Sequence, residues 1–350
     1  MDIPMIFILL ILNVGKRFKD DNMKAVVINE TCKAEDLKVS EIEIPKIKPN
    51  WVLVKVKSFG INRSEIILRE YEADEDYINL PIVPGIECVG EIIDENNSKF
   101  NKGDLVIGLM GGMGRSFNGS YEEYTLLPEK NVFKVNEKIK NNLSIEEIAS
   151  IPETYFTAYG SLFESLNLKE NETILIRGGT STVGLAACKL AKAKRSTVIA
   201  TSRKKENIKN LLENGADYGI IDDENLKKEI DKICPNGVDK ILELIGPETM
   251  EDSMKVLKKH GICCVTGILG GIEYINQFDP IKYIPNGKCL TSFFSNYPNQ
   301  EIIDNIFNMI IDNHIKTKIS KVYTSLEDIK KAHKLMETNK AQGKIVFKIA

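Results

Sequence analysis

From Thr173 to about Ser295, short apolar runs alternate with amphipathic segments, and this rhythm constrains the fold of the 350-residue chain more than any other feature. The runs "TILIR", "TVIATS", "YGIID", "KILELIG", "GICCVTG" and "LTSFFS" read as strands. The segments near 183–193, 204–214, 224–233 and 247–258 read as helices. Strands that are apolar at nearly every position must be covered on both faces, which specifies a parallel sheet between helical layers. Six strands at this spacing predict a doubly wound, nucleotide-binding α/β fold.

The flanking sequence has a different grain. From Met23 to about Ile148, "KAVVIN", "WVLVKVKSFGIN" and "ECVGEIIDE" read as short strands broken by Gly and Pro turns, so a mostly β domain precedes the parallel sheet. A helix start follows at "LSIEEIASIP", where Ser144 and Glu147 have capping-box spacing. After Asn299 come two helices, "QEIIDNIFNMIIDN" and "LEDIKKAHKLMETN". The closing strand "GKIVFKI" is expected to rejoin the first domain.

Within the alternating region, "LIRGGTSTVGLAACKLAK" has the makings of a phosphate cradle. It supplies a strand end, glycines for a tight turn and a helix N-terminus whose partial positive charge faces an anion. The candidate contacts are Gly178, Gly179, Thr180, Ser181, Thr182, Val183 and Gly184. Ser181 stands where GxGxxG has its second glycine, either adding a phosphate donor or marking a wider turn. The next strand ends in Ser202, followed by Arg203 and Lys204, where NAD-binding chains carry an acidic residue for the ribose hydroxyls. A hydroxyl with basic neighbours suits a ribose 2′-phosphate, and basic charge at a helix start is unfavourable without an anion. The expected cofactor is therefore NADPH.

Composition excludes other classes. With 47 basic and 50 acidic residues well mixed, no patch favours nucleic acid or a membrane surface. Seven cysteines without a CxxC pair read as reduced, buried thiols of a cytoplasmic protein, and no His lies at ligand spacing from a Cys. His260, before Gly261, reads as the end of a helix, and His314 and His333 as members of amphipathic helices. The apolar run at residues 3–14 is too short to span a bilayer, so residues 1–22 read as an N-terminal extension without stable membrane insertion.

The motifs "FGINRSEIILR", "PIVPGIECVGEI", "KGDLVIGL", "GSYEEYTLLPEKNVFKV", "IPETYFTAYGSL" and "IRGGTSTVGLAA" follow one another along nearly the full length. In that order the chain resembles the medium-chain dehydrogenase/reductase superfamily. The resemblance implies a GroES-like β-rich catalytic domain (residues 23–148 and 299–350) and a Rossmann NADPH-binding domain (residues 149–298). Zinc alcohol dehydrogenases of this superfamily place a cysteine where Asn62 stands, a histidine where Ile86 stands and a further ligand near Glu153. An asparagine amide and an isoleucine replace neither donor. The lobe that holds structural zinc in those enzymes is also missing between Gly108 and Ser120, so the chain resembles the zinc-free NADPH:quinone oxidoreductases, similar to zeta-crystallin.

That branch implies hydride transfer to a quinone or a similar electron-poor carbonyl. The protein then mainly supplies positioning and donors for the developing oxyanion. By resemblance, Thr157 lies beside the nicotinamide and Asn62 near it or the substrate. Gly246, Thr266, Gly267, Ile268 and Leu269 flank the ring, and Gly343 and Lys344 approach the cofactor phosphate. Tyr71 and Tyr155 are candidate donors to a bound carbonyl, set against the plainer readings of an exposed and a core tyrosine. An enoyl or alkenal reductase on the same scaffold, or a non-catalytic NADPH-binding protein, fits the same residues. The apolar edge strand "CLTSFFS" predicts a homodimer or homotetramer.

Overall fold

The computed structural model describes residues 22–272 and 274–349, and the apolar run at residues 3–14 lies outside them. β1 (Asn22–Val26) and β2 (Val39–Glu43) pair as an antiparallel ribbon. β3 (Trp51–Ile61) is followed by α1 (Arg63–Ile67), which continues into a wider helical turn over Leu68–Glu72. β4 (Glu87–Asp94), β5 (Leu105–Leu109), β6 (Tyr124–Pro128) and β7 (Val132–Lys134) complete the N-terminal β region. Three short helices lead out of it: α2 (Glu137–Asn142), α3 (Ile145–Ala149) and α4 (Pro152–Tyr159). Ser144 caps α3 as its spacing predicts; its Oγ accepts the Glu147 N–H, and the Glu147 carboxylate accepts the Ser144 N–H at 2.8 Å.

The alternating region forms β8 (Thr173–Arg177), α5 (Thr182–Ala193), β9 (Thr197–Ser202), α6 (Ile208–Glu213) and β10 (Tyr218–Ile221). It continues through α7 (Leu226–Ile233), β11 (Val238–Glu243), α8 (Pro247–Val256), β12 (Leu257–Val265), α9 (Pro280–Tyr283) and β13 (Cys289–Ser292). Its six strands are all parallel in the order β10-β9-β8-β11-β12-β13. The order reverses between β8 and β11, and the crevice beyond their C-terminal ends is where such sheets take a ligand. Apolar clusters cover both faces, one around Ile174, Ile176 and Leu185 and the other around Leu175, Ile199 and Ile241.

The chain then returns through α10 (Gln300–Asp312), β14 (Ile319–Tyr323), α11 (Ile329–Glu337) and β15 (Lys344–Lys348). β15 pairs antiparallel with the end of β3, as the closing strand was expected to do, and β14 extends the sheet beyond it. The eleven residues of β3 are enough to serve β15, β4 and β6 along successive stretches. α10 seats Ile303, Ile306, Phe307 and Ile310 in the same core as the parallel sheet and as Val89 and Ile107, so one apolar mass joins both sheets.

Two expectations need correction. The helix expected to run to Lys258 stops at Val256, because Leu257 turns extended and buries its side chain in the sheet. His260 therefore lies within β12, at φ +65°, and not at a helix end. His333 is fully buried, its Nε2 3.2 Å from the Tyr121 hydroxyl; burial pushes its pKa down to about 3, so it is neutral. All seven cysteines are free, yet Cys289 is exposed on the edge strand β13.

Candidate active site

The dinucleotide candidates converge where the sheet order reverses. Gly178 turns at φ +80°, and a Cβ there would lie 3.1 Å from Leu244 Cβ and 3.3 Å from Leu269 Cδ1. A Cβ on Gly184 would come within 2.6 Å of Gly178 O, so α5 can start this close to the turn only with glycine. Gly246, at φ +103°, would press Gly267 O at 2.8 Å and Ile268 Cα at 3.2 Å, which brings the ends of β11 and β12 together. Ser181 is the N-cap of α5: its Oγ accepts the Gly184 N–H at 3.0 Å and donates to Gly178 O at 2.9 Å. The first helical amides, of Thr182 and Val183, have no acceptor within the helix and face the turn beside Thr180. Narrow glycine walls and free amides at a helix N-terminus suit a dinucleotide pyrophosphate.

At the end of β9, Ser202 is buried; its Oγ donates to Lys204 O and accepts the Lys204 N–H, both at 3.1 Å. That turn presents Arg203 and Lys204 to solvent. Deeper in the crevice lies a network that the sequence reading did not assign. Arg177 forks onto Asp222, with Nη2 at 2.7 Å, and donates to Thr249 O and Ser253 Oγ. Glu243 accepts from Ser253 Oγ and from the N–H groups of Ile245 and Gly246, and burial raises its pKa. These bonds lock the strand ends that shape the cradle. Arg177 was visible as a charge closing an apolar strand; its partners, Asp222 just past β10 and Thr249, Asp252 and Ser253 of α8, were not.

A second cluster forms where β3, β4, α4 and β15 meet. Lys344 Nζ, almost fully buried, lies 2.6 Å from Glu87 Oε1 and donates to Asn62 Oδ1 and, at 3.0 Å, to Thr154 Oγ1. Asn62 Nδ2 donates to the same Glu87 oxygen at 2.9 Å, and the other Glu87 oxygen accepts the Glu153 N–H at the start of α4. The Glu65 carboxyl reaches back to the N–H groups of Asn62 (2.6 Å) and Ile86 (3.1 Å). Burial pushes its pKa up to about 7 against the pull of Lys344. Gly60 makes the approach possible, since a Cβ there would sit 2.4 Å from both Glu87 Oε1 and Lys344 Cε.

α4 links this cluster to the crevice. Thr157 Oγ1 donates to Glu153 Oε1 at 2.9 Å, and the Glu153 pKa is raised, first by burial and then by Glu87, with Lys344 opposing. Ser161 Oγ donates to Thr157 O at 2.7 Å and lies 2.8 Å from Thr266 Oγ1, just past β12. Asn62, Thr157, Thr266 and Lys344 thus belong to one connected polar system. Tyr71 is not brought to it: it is 69% exposed on the turn after α1, and its hydroxyl makes no hydrogen bond among the described residues. Tyr155 is a core residue. The Lys344 ammonium is occupied by Glu87, Asn62 and Thr154, while Gly343 borders a small cavity shared with Thr182, Lys189 and Thr154. Glu65 and Glu87 were missed as site residues, although a carboxylate inside an otherwise apolar strand or helix start was the available signal.

Comparison with known proteins agrees with this geometry. Residues 48–137 match the alcohol dehydrogenase GroES-like domain, and residues 182–312 match the family described as zinc-binding dehydrogenase. The chain is 33% identical to the quinone oxidoreductase of Homo sapiens over 267 residues, 73% of this chain and 76% of that protein. It is 29% identical to the quinone oxidoreductase of Lama guanicoe over 332 residues, 93% of this chain and 97% of the relative. The solved quinone oxidoreductase from Coxiella burnetii superposes with a TM-score of 0.79 at 25% identity, covering 94% of this chain and all of that one. A GroES-like β domain joined to a six-stranded parallel sheet, with a glycine-walled crevice at the switch point, places the chain in the medium-chain dehydrogenase/reductase superfamily, in its quinone oxidoreductase branch.

Proposed function

We propose that the protein is a zinc-independent, NADPH-dependent reductase of quinones or similar electron-poor carbonyls. The observation that carries this reading is the Lys344-centred cluster. The positions that hold zinc ligands in the alcohol dehydrogenases carry Asn62 and Ile86, and the Asn62 amide is committed to Glu87 and Lys344. The Lys344 ammonium sits at this point instead, paired with the Glu87 carboxylate. When bound, NADPH supplies the hydride. The α5 N-terminus holds its pyrophosphate, and Arg203 and Lys204, beside the capped turn at Ser202, receive the 2′-phosphate. Asn62 and Thr157 border the reacting centre as residues fixed by their neighbours, and so add positioning rather than a new charge.

The relatives named quinone oxidoreductase favour a quinone over an enoyl or alkenal acceptor. The domains proposed are residues 23–148 with 299–350 for catalysis and 149–298 for the cofactor. Among the described residues no helix is long and apolar enough to cross a membrane; the cytoplasmic location is part of the proposal, and the relatives named quinone oxidoreductase support a small-molecule substrate. The open edge of β13 supports a two-fold dimer. The test is steady-state oxidation of NADPH and NADH against a quinone panel and an enone panel, in the wild type and Arg203→Asp. Quinone turnover with NADPH preferred, and that preference lost in the variant, is the expected result. Turnover confined to enones overturns the acceptor, and an unaltered NADPH preference in the variant overturns the cofactor.

A further inference from the structure

We propose that Glu153 is the proton donor of the reaction, delivering its proton to the acceptor oxygen as hydride arrives. The inference rests on the reductase reading, and three observations carry it. Of the three glutamates in the polar cluster, Glu65 and Glu87 are completely buried, whereas Glu153 keeps some accessible surface. The Thr157 hydroxyl, which the reductase reading sets beside the nicotinamide, bonds this carboxyl directly, with Thr157 Oγ1 2.9 Å from Glu153 Oε1, while Ser161 Oγ holds the Thr157 backbone carbonyl and so fixes that turn of α4. Glu153 also begins its helix with its own N–H on the Glu87 carboxylate. The Lys344 charge is thereby engaged by Glu87, and Glu153 has no ion pair of its own among the described residues.

The charged groups facing Glu153 are Lys344 from β15 and Glu87 from β4, with Glu65 on the far side of Asn62. Burial and Glu87 outweigh Lys344 and hold the carboxyl in its acid form to higher pH than a free glutamate. The chemistry balances. Reduced nicotinamide passes two electrons and one hydrogen to the quinone, the Glu153 O–H bond breaks, and a new O–H bond forms on the acceptor oxygen. Oxidised nicotinamide, hydroquinone and a Glu153 carboxylate remain, and the carboxylate regains its proton from water.

The experiment compares wild type, Glu153→Gln and Glu153→Asp in kcat against pH with a quinone acceptor, and in infrared spectra of the cofactor-free proteins. The wild type is expected to lose kcat as pH rises and Glu153 ionises. E153Q should lose about 10²-fold in kcat and lack that alkaline limb, with its KM for NADPH unchanged. E153D should keep part of the activity with the limb displaced. Without cofactor, the wild type should keep, to a higher pH than a free glutamate would, a protonated carboxyl band that E153Q lacks, a readout independent of turnover. An unchanged kcat and limb in E153Q overturns the assignment, as does an E153D profile identical to wild type where E153Q fails to fold, or the absence of the band. A wild type that turns over no acceptor overturns both the reductase reading and the proton donor; a wild type that turns over while E153Q is unaffected overturns the donor alone.

Discussion

Lys344 places a full positive charge in the protein interior, and Glu87 makes that tolerable. Breaking such a pair from one side leaves an uncompensated buried charge, so Lys344→Met is expected to cost about 3–5 kcal/mol, measured by urea denaturation. Removing the partner as well, in Glu87→Gln with Lys344→Met, should recover much of the loss, a coupling that a double-mutant cycle reads directly. Glu65 belongs to the same system but responds to pH. Its folded-state pKa is raised to about 7 from 4.5, so the folded chain holds this proton more tightly than the unfolded one. The stability it adds is fully present below 4.5 and is lost as pH rises through about 7. Denaturation midpoints should therefore fall across that interval in wild type, and Glu65→Gln should flatten that part of the curve. At this scale the sequence was least legible. "NRSEII" and "GIECVG" display their acidic residues openly, but nothing in their spacing tells that Glu87 pairs with a lysine more than 250 positions later, whose charge Glu65 also feels.

Elements were more readable, because their signals are local. The alternation of apolar strands and amphipathic helices named six strands that the parallel sheet contains, and the Ser144–Glu147 spacing named the start of α3. β14 escaped because it is an edge strand: "ISKVY" exposes its middle residues and lacks the apolar run that identified the others. The α8–β12 junction was misplaced because "LKKH" reads as a helix end by composition, while burial of Leu257 in the sheet decides the backbone. Ser181 shows how a motif mismatch resolves into local chemistry. Its hydroxyl is consumed by Gly184 N–H and Gly178 O, so it stabilises α5 and has no further role toward a phosphate. Ser181→Ala should then cost about 1 kcal/mol, and Ser181→Gly only a few tenths. NADPH affinity, measured by cofactor fluorescence, should change little in Ser181→Gly; a large loss there would assign the hydroxyl to the ligand.

At the scale of the whole molecule, the two sheets share one apolar core through α10 and α4, which fixes the polar cluster of the first against the crevice of the second. The parallel sheet ends at β13, which is hydrogen-bonded to β12 along one edge and to no strand along the other among the described residues. Around that edge the chain exposes Ile281 (88%), Phe294 (82%) and Tyr297 (74%). An open edge flanked by large apolar side chains suits the proposed dimer, since pairing the same edge of two copies about a two-fold axis would close it without leaving a new one. The sequence signalled this edge through "CLTSFFS", although Cys289 and Phe294 prove to be its exposed members rather than buried ones. Sedimentation velocity should show a dimer for wild type and a monomer for Phe294→Glu with Tyr297→Lys. NADPH affinity should persist in the monomer, because both substituted side chains lie outside the glycine cradle and each chain carries its own Gly178–Gly184 turn and β9 end. A wild type that sediments as a monomer would leave the apolar rim of β13 without the partner proposed for it, and a double variant that stays dimeric would move the interface to another face.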